Sequence, residues 1–90
     1  MPVTISTVTT FPHPKADKAQ VLKIAEEEHE VFSAWERWTI LGTQETRNRV
    51  VEECADLITA TCNLLAALGV DDMKTAMAAC HERNRARGRV

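Results

Sequence analysis

Ninety residues make one domain with a modest core, so burial against further copies of the chain is open from the outset. Apolar residues make up 44% and charged residues 27%, and the formal net charge of −2 gives no general attraction for nucleic acid. No stretch approaches the roughly 18 apolar residues of a membrane span, and the opening MPVTISTVTTFPHP lacks the basic start and apolar run of a signal peptide. Three cysteines are an odd number. Cys54 and Cys62 stand about 12 Å apart along one expected helix, too far for a disulfide. Reduced thiols in a cytoplasmic protein are the expectation.

Residues 1–13 are rich in Thr and Val, with Pro2, Pro12 and Pro14 nearby, and read as an extended arm, with a short strand or a disordered segment as the alternatives. The helical domain, 14–90, follows. Either Pro14 in a first turn or Asp17 with Gln20 as a capping box begins a first helix that runs to about Trp38. Gly42 stops it, and Thr43 caps a second helix from about Gln44 to Leu68. Gly69 ends that helix, Asp71 caps a third, and the third runs to about Arg87 before Gly88. No repeat and no low-complexity segment stands out. The fold class is all-α, with three main helices per chain forming an oligomeric helical bundle.

Helical geometry, at about 100° per residue, sorts these residues onto faces. On the first helix, Val21, Ile24, Ala25, Val31, Phe32 and Trp35 form an apolar stripe with Glu27 on its flank and Glu30 further round. On the second, Val50, Cys54, Leu57, Ile58, Thr61, Leu64, Leu65 and Leu68 form another, with Glu53 and Asp56 on one edge. Each helix thus carries two carboxylates at i, i+3, neighbours about 5–6 Å apart. Like charges so placed weaken a helix, whereas a hard divalent ion reverses the sign because it seeks oxygen ligands. A solvated face explains KIAEEEHE, residues 23–30, taken alone; the second pair at Glu53 and Asp56 shifts the balance toward metal.

These residues resemble a family. KIAEEEHE fits K-x-x-E-E-x-x-E through Lys23, Glu26, Glu27 and Glu30; EECADL fits E-x-x-D through Glu53 and Asp56; NRARG at 84–88 is similar to a basic closing segment. Their order is that of the MazG-like all-α nucleotide pyrophosphohydrolases, relatives of dimeric dUTPases, dCTP pyrophosphatases and phosphoribosyl-ATP pyrophosphohydrolase. The resemblance covers about 17–89. It implies a homodimer or dimer of dimers, and Mg²⁺-dependent hydrolysis of a nucleoside triphosphate to the monophosphate and pyrophosphate, with Mn²⁺ as a substitute ion. It implies Glu27, Glu30, Glu53 and Asp56 as metal ligands, Glu26 as the residue that orients water, and Lys23, Trp38, Asn84 and Arg87 as substrate-binding residues. Nothing in the residues picks out phosphoribosyl-ATP among the nucleotides.

Two departures stand against this pattern. Where many relatives carry a lysine one turn before Asn84, this chain has Cys80 and then His81. Glu28 falls in the middle of the first stripe, where an unpaired buried carboxylate is costly. Bland readings are open for several residues: Trp35 and Trp38 as packing aromatics rather than a wall for a base, His29 as an exposed side chain, His81 as a core histidine. Arg83, Arg85, Arg87 and Arg89 read first as a solvated, fraying helix end and second as a phosphate- or nucleic-acid-binding group. The alternative to an enzyme is a non-catalytic helical oligomer that serves as an interaction module.

Overall fold

Local capping chemistry sets the helix limits. A computed structural model spans residues 1–90 and contains three α-helices and no strand. Helix α1 is Lys18–Leu41, and of its two candidate starts Asp17 takes the role: its backbone is extended and its carboxylate accepts the Gln20 N–H at 3.0 Å. The helix continues past Trp38 to Leu41. Gly42 then adopts the left-handed conformation (φ 60°) that glycine tolerates, and its N–H donates to the Trp38 carbonyl at 2.8 Å. Helix α2, Gln44–Ala67, opens on a reciprocal box: the Thr46 N–H donates to the Thr43 hydroxyl and the Thr43 N–H to the Thr46 hydroxyl, both at 3.1 Å. Helix α3 is Lys74–Ala86. Asp71 does not cap it; the N-cap is Met73, without a side-chain bond, and the Asp72 carboxylate takes the Lys74 N–H at 2.9 Å.

Only Gly42 and Thr43 separate α1 from α2, so the two helices fold back as an antiparallel hairpin. The line of α1 withdrawn from solvent is Gln20, Ile24, Glu27, Val31 and Ala34; on α2 it runs through Thr46, Glu53 and Ala60, with Asn63 beyond. This corrects the expected faces. Val21, Phe32 and Trp35 are about half exposed, and Glu53 is buried near the centre of α2's covered face instead of on an edge. The apolar side chains misled because the hairpin closes on small and polar residues: Ala34 and Ala60 are the only buried apolar ones, joined by Thr46, Glu53 and Asn63. The large side chains therefore flank the seam. Glu28 lies with them in solvent, which removes the cost of a buried carboxylate there.

The arm is extended but pairs with no strand. It runs beside α2, with Ile5–Thr9 facing Ala55, Ile58 and Thr59 across a shallow cleft. The Phe11 N–H donates to Oδ1 of buried Asn63 at 2.9 Å. Helix α3 stands apart: α1 and α2 approach each other closely, and neither approaches α3. The radius of gyration, 15.1 Å, exceeds the value of about 12 Å for a compact chain of this length. A single copy is a covered hairpin with an outlying helix, and it exposes Phe32, Trp35, Ile40, Val51 and Met77. All three cysteines are free thiols. No helix is long and apolar enough to cross a membrane.

Candidate metal centre

Glu27 and Glu53 project into the seam from facing helices, and Asp56 stands one turn beyond Glu53 on α2. One carboxylate oxygen of each lies within 4.8 Å of the others, with Glu53 buried, Glu27 half-buried and Asp56 exposed. Three negative charges at this separation repel, and the Glu53 side chain, 6% exposed, has little water to offset its charge. Basic residues answer part of that deficit. Lys23 Nζ sits 3.1 Å from Glu27 and 3.4 Å from Glu26, and Arg49 sits 2.9 Å from Glu53 and 3.2 Å from Glu52. The Lys23 ammonium is held above the usual lysine range, first by its hydrogen bond to Glu27 and then by the fields of Glu26 and Glu27.

These pairings expose a short repeat. Lys23, Glu26, Glu27 and Glu30 on α1 share their spacing with Arg49, Glu52, Glu53 and Asp56 on α2. Both segments read [K/R]-x-x-E-E-x-x-[E/D]. Arg49 and Glu52 are the residues that reading the second motif as E-x-x-D leaves out; extending it four positions toward the N-terminus finds them.

The other expected residues are dispersed. Glu30 is exposed and outside the group of three, and Glu26 is exposed, tied to Lys23 beside Glu27. Neither tryptophan is packed away: Trp38 is 41% exposed, and Trp35, 46% exposed, lies against equally open Phe32 with ring centroids 5.7 Å apart. Asn84 and Arg87 are at the far end of α3, so one chain does not bring them to the carboxylates. The Asn84 amide donates to Cys80 Sγ at 3.7 Å, and its carbonyl oxygen accepts from Arg89 at 3.4 Å. Asn84 shares a face of α3 with Met73 and Met77; that face packs on neither helix, and Met77 is exposed. His81, expected in a core, is exposed, as is His29. Toward the hairpin turn, a polar cleft of about 630 Å³ is lined by Ala34, Arg37, Glu45, Thr46, Asn48, Arg49 and Glu52, and by none of the three carboxylates.

The model of a family described as phosphoribosyl-ATP pyrophosphohydrolase matches residues 5–84. The chain belongs to the phosphoribosyl-ATP pyrophosphohydrolase family. Membership makes it a nucleotide pyrophosphohydrolase, a hydrolase acting on acid anhydrides, within the MazG-like all-α group. The matched span takes in most of the arm, both copies of the charged motif and Asn84, and stops before Arg87. No curated protein and no solved structure matches the chain. For a phosphoribosyl-ATP pyrophosphohydrolase-family chain the donor set is apt: hard carboxylate oxygens from two helices, only partly neutralised, suit a divalent cation.

Proposed function

We propose that the protein hydrolyses a nucleoside triphosphate between the α- and β-phosphates, releasing the monophosphate and pyrophosphate, with Mg²⁺ as cofactor and Mn²⁺ as substitute. The reading rests on the meeting of Glu27, Glu53 and Asp56 within 4.8 Å at the helix seam. In it these three hold the ion, and Glu30, one turn along α1, turns in as a fourth ligand. Bound there, the ion would neutralise phosphate charge and lower the pKa of a bound water.

Around that centre, the chain's own residues have separate tasks. Glu26, exposed beside Glu27 and paired with Lys23, orients the attacking water and takes its proton. Lys23 and Arg87 pair with phosphate oxygens, and Asn84 donates its amide to them. Trp38 offers an indole face to the base, a contact worth about 1–3 kcal/mol. Asn84 and Arg87 reach the carboxylates only if a second copy supplies α3. The reading therefore includes a homodimer or dimer of dimers, which would also cover Phe32, Trp35 and Val51.

A nucleotide panel tests the proposal. Purified protein with Mg²⁺ is given standard and modified ribo- and deoxyribonucleoside triphosphates together with phosphoribosyl-ATP, the nucleotide named in the family description. The expected products are pyrophosphate and a monophosphate. Release of inorganic phosphate would defeat cleavage between the α- and β-phosphates, and failure of Mg²⁺ either to stabilise or to activate the protein would defeat the metal-centred reading. Failure on the whole panel would leave the interaction-module alternative. Light scattering that gives a monomer mass at micromolar concentration would remove the shared-site element.

A further inference from the structure

Arg49 has an unusual position for a surface arginine. Its stem and head are largely in solvent, yet one terminal nitrogen reaches the Glu53 carboxylate at 2.9 Å while the other reaches exposed Glu52 at 3.2 Å. Glu53 is the most deeply buried of the three carboxylates that face one another. A carboxylate there needs a cation at all times, including before any metal arrives. A guanidinium suits the task because its terminal nitrogens serve two acceptors at once, so one contact can break while the other keeps the group in place.

We propose that Arg49 is a placeholder cation: it neutralises Glu53 in the metal-free protein and passes wholly to Glu52 when a divalent ion takes Glu53. This rests on the metal-centred reading above. The positions support an exchange over a permanent clamp. Glu52 is already within contact distance, so release from Glu53 requires a small rotation and leaves no charge unpaired. The released head remains at the polar cleft that Arg49 and Glu52 line together with Arg37. Arg49 is thereby a positioning residue that sets how readily metal binds and keeps a positive charge at hand afterwards. Lys23 has the matching place on α1 and touches both Glu26 and Glu27, but its acceptors share one nitrogen, whereas Arg49 gives each acceptor a nitrogen of its own.

The test uses Mg²⁺ alone as probe and NMR as readout, independent of turnover. The Glu53 and Asp56 carboxylate signals report metal binding, and the Arg49 guanidinium signals report the exchange. Both sets are expected to titrate with one midpoint in the wild type. Arg49→Gln should bind Mg²⁺ roughly two- to tenfold more tightly, because a competitor is gone. Glu52→Gln should bind it more weakly, because Arg49 then has only Glu53. Arg47→Gln, which removes a neighbouring charge that pairs with no carboxylate, should change affinity less than Arg49→Gln does. If Arg49→Gln does not fold, the wild-type titration and exposed Glu52 decide the matter. Carboxylates that titrate while Arg49 stays still, or an Arg49→Gln variant that binds Mg²⁺ no more tightly than wild type, would overturn the exchange and leave the metal site standing. Carboxylates that do not respond to Mg²⁺ would defeat the metal site itself and the exchange with it.

Discussion

The two halves of the candidate centre have the same residue spacing and unequal surroundings. On α2 the Glu53 side chain is 6% exposed and Asp56, itself exposed, joins the carboxylate group; on α1 the Glu27 side chain is 12% exposed and Glu30, also exposed, lies outside that group. The motif does not cause this difference, since both copies present Glu-Glu one turn after a basic residue. The neighbours do. Helix α2 is covered by α1 on one side and by the arm on another, through Ile5–Thr9 and the Phe11–Asn63 bond, whereas the outer side of α1 is open. A spacing selects which groups can meet; what lies behind the helix determines how dry and how fixed each one is.

The largest expected effect breaks that asymmetry at the ligands. Asp56→Asn and Glu53→Gln should each lower turnover by about two orders of magnitude or more, because charge neutralisation and the activated water are lost together. Glu30→Gln should cost comparably, because Glu30 turns in as the fourth ligand once metal binds. Equal losses in a pyrophosphate-release assay would show that the asymmetry belongs only to the metal-free state.

Metal addition gives the next largest change. Mg²⁺ at about one hundred times its dissociation constant should stabilise wild type by about 2.7 kcal/mol in a thermal melt. Asp56→Asn should gain less. Without metal that variant should melt at the same temperature as wild type or slightly higher, since a repulsion has been removed.

Cover over α2 can be removed alone. Asn63→Ala takes away the acceptor for the Phe11 N–H and should cost about 1 kcal/mol, with faster amide hydrogen exchange at Phe11. The matching change at the hairpin turn, Thr43→Ala, should also cost about 1 kcal/mol but leave Phe11 exchange unchanged.

The smallest effect is on the α1 side. Because the Lys23 ammonium is raised by Glu27 and Glu26, its contribution is fully present below the ordinary lysine value and is lost as pH rises through the higher folded value. Chemical denaturation across the alkaline range should show wild type losing a small increment that Lys23→Gln never had.

Much of this was legible in the chain. Thr43 and Gly42 placed the turn between helices because each performs a task that few residues can. The i, i+3 pairs at Glu27 with Glu30 and at Glu53 with Asp56 singled out the carboxylates, three of which meet. The orientation of the helices was less legible, because weighting apolar side chains put Phe32 and Trp35 in a seam that Ala34, Ala60 and Glu53 occupy. Asn63 went unrecognised as the arm's anchor because its partner is a backbone N–H, which has no signature in sequence. The isolation of α3 was also hidden, since an apolar face specifies that it will be covered but not whether the same copy covers it.

The connector of Gly42 and Thr43 has a consequence for how this protein can vary. It leaves no slack between the helix stop and the reciprocal threonine cap, so it works as a gauge block that sets where Glu53 arrives opposite Glu27. One added residue would lengthen the connector by up to about 3.5 Å and part the Gly42 stop from the Thr43 cap, letting α2 slide along α1 and carrying Glu53 away from its place opposite Glu27. Exposed loops ordinarily tolerate changes of length. This one should not: a single inserted glycine should leave the helices folded and the carboxylates out of step.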